Sequence, residues 1–215
     1  MSARRQLHVG GKIRVPEWEV LNAVPAPEVD HIGDARDLSA FAESTFTTIY
    51  ASHVVEHLDY RDELAQTLRE WLRVLVPGGR VMISVPDMDI LGRLITEKNA
   101  HAVEERFLLM RMIFGGHFDA YDYHQVGFNE DFLTWFLKTC GFVNARRVPT
   151  LDVFDDTSKT RFKDVPISLN MIAEKAQDAW FRSSWGKPKD LGATPCICGS
   201  TRPFVDCHGH LRASG

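Results

Sequence analysis

Residues 50–58, YASHVVEHL, and 68–86, LREWLRVLVPGGRVMISVP, decide how this chain folds. The run 48–51 (TIYA) is β-prone and ends in the polar pair Ser52-His53. From Glu63 onward the apolar residues Leu64, Leu68, Trp71, Leu72 and Leu75 recur at helical spacing. Pro77-Gly78-Gly79 stops that helix, and 81–85 (VMISV) is too continuously apolar for a sheet wetted on one side. Strand, helix and buried strand make a right-handed crossover unit of an open α/β sheet. Such sheets take ligands at the carboxyl ends of their strands, which is where His53, Glu56 and Asp87 fall.

Working outward, 7–9 reads as a first strand running into Gly10-Gly11, 18–22 as a second and 29–32 as a third. Asp87 is placed to cap a helix through Ile90, Leu91, Leu94 and Ile95, and another helix is expected over 103–113. Asn129 caps a third, with Phe132, Leu133, Phe136 and Leu137 facing inward and Gly141 ending it. Residues 142–148 and 167–173 alternate as two last strands, read as an antiparallel pair. Between helices lies 114–128, FGGHFDAYDYHQVGF, whose composition is that of a lid or substrate loop.

The 215 residues suffice for one good core and a small appendage. Net charge is -4 and pI is near 6.1, so no basic field asks for nucleic acid or an anionic membrane. No apolar run approaches the ~18–20 residues of a membrane helix, and residues 1–6 lack the apolar region of a signal peptide, so cytoplasm is expected. Of four cysteines, Cys140 stands alone at a helix end, read as a small buried hydrophobe. Cys196, Cys198 and Cys207 crowd together, which in a reducing compartment suggests metal before disulfide.

Over residues 6–175 the order of pieces resembles the class I S-adenosylmethionine (SAM)-dependent methyltransferases. LHVGG at 7–11, GDARDLS at 33–39, YASHVVEHL at 50–58 and RVLVPGGRVMISVPD at 73–87 carry the likeness. The resemblance implies a Rossmann-like, mostly parallel sheet with an antiparallel last strand. It also implies SAM as cofactor, bound through Gly10, Gly11, Asn22, Asp34, Ala35, Ser52 and His53. Glycines at 10 and 11 let backbone approach the amino-acid end of SAM, and Asp34 is placed for the adenine amino group. Methyl transfer is an in-line displacement that rests on positioning and desolvation. An acceptor hydroxyl also needs a base, for which His124 and Asp122 are the candidates. The likeness extends to small methyltransferases associated with surface-sugar metabolism, so a small-molecule or sugar-related acceptor is expected. Two features depart from the pattern. Asn22 stands where the family has an acidic ribose ligand, so Asn22→Asp is expected to tighten SAM binding. The interval between Gly11 and Trp18 is also too short for the usual helix after the first strand.

His53-Val54-Val55-Glu56-His57 also matches H-x-x-E-H, the pattern of inverted zinc peptidases. That chemistry needs both histidines on one helical face, and His53 falls at a strand end. These residues are read instead as strand-end polar groups that bond backbone or line the methyl-transfer pocket.

PCICGSTRPFVDCHG at 195–209 resembles the SecA C-terminal zinc-binding motif, with Cys196, Cys198, Cys207 and His208 as a complete tetrahedral set. That marks a structural zinc, whose binding would supply the folding free energy of so short a knot. The resemblance implies a docking piece and hence a protein partner. The expected organisation is a methyltransferase-like domain at 1–176, a linker at 177–193 and the zinc knot at 194–215. The competing expectation for the whole is a catalytically lapsed fold acting as an adaptor through that knot.

Overall fold

The computed structural model describes residues 5–119 and 122–177, and the zinc-knot residues Cys196, Cys198, Cys207 and His208 lie outside them. The strands in chain order are β1 (Arg5–Val9), β2 (Trp18–Asn22), β3 (His31–Ile32), β4 (Phe46–Ser52), β5 (Leu75–Pro86), β6 (Phe142–Val148), β7 (Arg161–Phe162), β8 (Val165–Pro166) and β9 (Ser168–Lys175). Helices are α1 (Glu63–Val74), α2 (Met88–Thr96), α3 (Val103–Phe114) and α4 (Glu130–Thr139). One 7-stranded sheet runs β3-β2-β1-β4-β5-β9-β6, and β7-β8 form a separate ribbon. The first five strands pair in parallel, while β9 is antiparallel to both β5 and β6. The chain reverses its strand order between β1 and β4, which creates the crevice where open α/β sheets take ligands.

The expected crossover is present as β4–α1–β5. Leu64, Leu68 and Trp71 bury the inner stripe of α1 against Ile49, Val81 and Ile83. The end of α1 is closed by Lys175, whose Nζ donates to the carbonyls of Arg73 and Leu75. The helix ends at Val74, just ahead of Pro77-Gly78-Gly79, and these three residues lie inside β5 as a bulge. Pairing jumps there from Phe46↔Leu75 to Thr48↔Arg80, and Gly78 takes φ 75.

The two faces of the sheet are covered differently. Leu7, Val9, Leu21, Ile49 and Val85 pack with residues of α1 and α4. The opposite face, presenting Tyr50 and Met82, is covered by Ile13, Val15, Leu151 and Phe154. As expected from its length, the stretch between β1 and β2 forms no helix. Irregular chain therefore does on this face what helices do on the other. Asp87 and Asn129 cap α2 and α4 as the sequence predicts: Asp87 accepts from the amides of Asp89 and Ile90, and Asn129 from that of Phe132.

Candidate functional site

Two groups of residues meet at the carboxyl edge of the sheet. The first belongs to β1, β2 and β3. Gly10 turns the chain with φ 73, and a Cβ there would lie 2.6 Å from Val54 Cγ2, so no other residue fits without displacement. Its amide donates to Leu21 O at 2.8 Å. Asn22 is buried, and its carboxamide is fully engaged: Nδ2 donates to Gly11 O and Oδ1 accepts from Val24 N, both at 2.9 Å. Asn22 thus pins the glycine turn of β1 to the end of β2. Asp34 accepts from Arg36 Nε at 2.9 Å and from its NH2 at 2.6 Å, and this pairing holds its carboxyl below the usual range. Ala35 O accepts from Trp71 Nε1 at 2.8 Å. Ser52 Oγ lies 2.8 Å from Thr157 Oγ1.

The second group gathers after β4. His53 takes φ 53, a left-handed conformation that turns the strand into a single helical turn at Val55–His57. The two histidines of H-x-x-E-H therefore do not share one helical face, which removes the peptidase geometry. Ser168 Oγ donates to Thr157 O at 3.0 Å, so His53 Nε2, 3.2 Å from the same Oγ, is the donor to it. In the neutral ring that leaves the Nδ1 lone pair facing Glu56 Oε1 at 3.2 Å.

Glu56 is the centre of this group. It is 1% exposed, and neither carboxylate oxygen has an aligned hydrogen-bond partner. Burial opposes its ionisation, but the nearby His53, His57 and His124 outweigh burial and hold the carboxyl below its ordinary value. Its backbone is fully used: Glu56 O accepts from the amides of Gln125 at 2.7 Å and Val126 at 3.3 Å. Those bonds stitch the loop before α4 onto the end of β4 and bring His124 beside His57, ring centroids 4.8 Å apart. His57 Nδ1 lies 3.2 Å from Tyr123 O and His124 Nδ1 3.0 Å from Ile113 O. Carbonyls only accept, so both rings carry hydrogen on Nδ1, and in the neutral ring the lone pair lies on Nε2. One ligand atom from each of Glu56, His57 and His124 falls within 4.8 Å of the others.

Of the two candidate bases, only His124 joins this cluster. Burial, ahead of the opposing pull of Glu56, lowers its pKa and keeps the imidazole neutral near pH 7. The cavity of ≈ 10 Å³ against Met88, Leu91 and Val126 has room for about one water. Asp122 turns to its own loop, its Oδ2 accepting from Phe118 N at 3.2 Å. Burial raises its pKa, but backbone amides and the two histidines win and leave it lowered, a poor base. Glu56 and His57 exceed the role of strand-end caps that the sequence suggested. The available signal was the H-x-x-E-H pattern itself, whose third partner comes from a loop far along the chain.

Residues 19–83 match the family model described as a methyltransferase domain, from β2 to β5, which leaves Gly10 and Gly11 outside the matched segment. No curated protein matches the chain in sequence. Among solved structures, a SAM-dependent methyltransferase from Archaeoglobus fulgidus has TM-score 0.51 at 15% identity, covering 81% of this chain and 87% of that one. The fold is a methyltransferase fold. A possible histamine N-methyltransferase from Thermotoga maritima has TM-score 0.50 at 15% identity, with 80% and 82% covered. A possible exported protein from Bordetella parapertussis has TM-score 0.50 at 13% identity, covering 81% of this chain and 63% of that one, under two thirds of its length. The match and the structural likenesses agree on a methyltransferase-type fold. Among the described residues no helix is long and apolar enough to cross a membrane.

At the switch point, beside Ser52, the places a Cβ would take on Gly10 and Gly11 are filled by Val54 Cγ2 and the His8 ring, each at 2.6 Å, so only backbone of this turn can face the methionine end of SAM. At the ribose position residue 22 is an amide and not a carboxylate, and both its ends are already bonded, to Gly11 O and Val24 N.

Proposed function

We propose that this protein is a SAM-dependent methyltransferase acting on a small-molecule or sugar-related acceptor. The observation that carries the reading is the strand order β3-β2-β1-β4-β5-β9-β6, with a tight glycine turn at its switch point and a matched methyltransferase segment across β2–β5. When bound, SAM supplies a methyl group on a sulfonium, activated for displacement. The chain's part is to place and shield the partners. Gly10, Gly11, Ser52 and His53 border the methionine side. Asn22 shapes the turn rather than gripping ribose, and Asp34 and Ala35 border the adenine side. His124, neutral and half-buried, is the base for an acceptor hydroxyl, with Asp122 bracing its loop.

The four zinc-knot residues, Cys196, Cys198, Cys207 and His208, are proposed to hold a structural zinc and to dock a protein partner, in a cytoplasmic protein. The motif's spacing supports this reading, and a zinc content near zero in purified protein would end it.

Calorimetric titration of the folded protein with SAM and with its demethylated product tests the main reading. Micromolar binding, roughly -7 to -8 kcal/mol, is expected. No heat up to about a millimolar would reject the enzyme reading and leave the fold a binding role.

A further inference from the structure

We propose that Glu56, His57 and His124 form a binding site for a divalent transition-metal cation of the zinc class, separate from the C-terminal cysteine cluster. The Glu56 carboxylate is 1% exposed and neither oxygen has an aligned hydrogen-bond donor, its one ion-pair contact being His53 Nδ1 at 3.2 Å from Oε1, so Oε2 in particular is open to a cation. Both neighbouring imidazoles have Nδ1 committed to backbone carbonyls, Tyr123 O at 3.2 Å and Ile113 O at 3.0 Å. Such an outer bond fixes the tautomer and leaves Nε2 as the ligating nitrogen of metal-bound histidine. Two imidazoles and one carboxylate are a donor set that zinc accepts at about 2.0–2.2 Å, with a fourth position left open.

The spacing is close to what a cation needs. Tetrahedral ligands at those bond lengths lie roughly 3.3 Å apart, against separations of at most 4.8 Å here. Side-chain rotations of about an ångström close that gap. The backbone is prearranged, since Gln125 N at 2.7 Å and Val126 N at 3.3 Å bond Glu56 O and hold the loop bearing His124. His53 is the one further imidazole at the carboxylate among the described residues, 3.2 Å from Oε1 through Nδ1, and is held from the far side by Ser168. It stays an outer neighbour. The open position would take an oxygen of water or of a small ligand with a hydroxyl or carboxylate group. That the ligand is the methyl acceptor rests on the methyltransferase reading, and with a metal bound His124 Nε2 is a ligand in place of the base proposed above; the metal site does not rest on that reading.

Cobalt(II) titration of the full chain, without SAM, tests the site. Cysteine-ligated cobalt gives a thiolate-to-metal absorption band that a histidine–carboxylate site lacks. Three proteins are compared: wild type, a Cys196→Ser/Cys198→Ser variant, and Glu56→Gln. One equivalent without the thiolate band is expected in the first two and should be lost in Glu56→Gln. Equal band-free cobalt in Glu56→Gln and wild type, or none in either, overturns the proposal. A readout independent of variant folding uses wild type alone: zinc should block diethylpyrocarbonate modification of His57 and His124, mapped by mass spectrometry. Unchanged modification of both at saturating zinc also overturns it. Since SAM is absent throughout, failure here leaves the cofactor titration untouched, and the reverse holds.

Discussion

The ends of β1 and β2 and the end of β4 lie side by side, yet their polar side chains are in opposite states. At the ends of β2 and β3, Asn22 and Asp34 spend their side chains on the protein itself. Both ends of the Asn22 amide bond backbone, and both oxygens of Asp34 hold Arg36. After β4 the buried Glu56 has no aligned donor, and two histidines keep a lone pair each. Buried polar groups are nearly always bonded, so an exhausted side chain explains itself by structure, while a buried unsatisfied one points to something that binds. The difference separates residues that build the site from residues that await a ligand.

The largest expected effect breaks the second group. Gly115 has φ 89 and ψ 165, a region open essentially to glycine, and a Cβ there would lie 2.2 Å from Asp122 O. Gly115→Ala should cost the loop roughly 4 kcal/mol, strain and clash together, and detach it. Amide exchange at Gln125, whose N–H bonds Glu56 O, should accelerate while core amides of β4 and β5 stay protected. Unchanged Gln125 protection would mean that Glu56 and His124 are not held together as described.

Next is Asn22→Asp, which probes the exhausted half. The structure reverses the sequence-based expectation of tighter SAM binding. A carboxylate at 22 cannot donate to Gly11 O, and it sets a negative charge 2.9 Å from that carbonyl at a position 8% exposed. A loss of about 3 kcal/mol is expected in urea unfolding, with weaker SAM binding because the glycine turn loosens. A stable variant that binds SAM more tightly would show that this half is not exhausted at all.

A similar loss, confined to acid, comes from His8 beneath the same turn. Its ring is 3% exposed, lies 4.0 Å from Phe154, and has Nδ1 unpartnered. Burial pushes its pKa from 6.5 down to about 4, against a weaker opposite pull from Asp156. The fold thus favours the neutral ring, so this contribution is intact above pH 6.5 and is lost as pH falls toward 4. The loss is about 3 kcal/mol by pH 4. His8→Phe should flatten the acid limb by that amount relative to wild type. Parallel limbs would place the acid sensitivity elsewhere.

Much of the fold was legible because it is written in local periodicity. The crossover, the caps at Asp87 and Asn129 and the antiparallel pair β6–β9 follow from spacing and capping chemistry alone. Pro77-Gly78-Gly79 marks the end of α1 in sequence, but a turn and a bulge use the same residues, and only pairing with β4 shows that these lie within β5. The shortness of the β1–β2 link could be counted, but not that Ile13, Val15 and Phe154 would cover the face left without helices. For the site, position was readable and bonding state was not. Asn22 looked available until its partners, Gly11 and Val24, were seen to occupy it. Glu56 looked like an ordinary strand-end carboxylate until burial removed its water. His124 depends on a contact across some seventy residues, beyond any local pattern.

The smallest expected effect sharpens the comparison inside the exhausted half. Asp34 differs from Asn22 in being open to solvent: its side chain is 40% exposed and its Arg36 partner 46%. An exposed ion pair contributes little, so Asp34→Asn should change stability by no more than about 0.5 kcal/mol. Yet each carboxylate oxygen carries two lone pairs, and Arg36 does not use them all. If the adenine amino group bonds there, SAM affinity should fall roughly fivefold, about 1 kcal/mol, without a matching loss of fold. Such a split between affinity and stability isolates a cofactor contact from a structural one, which Asn22 cannot offer because its two roles fail together. An unchanged affinity would remove Asp34 from the cofactor site and leave the adenine side to backbone groups around Ala35.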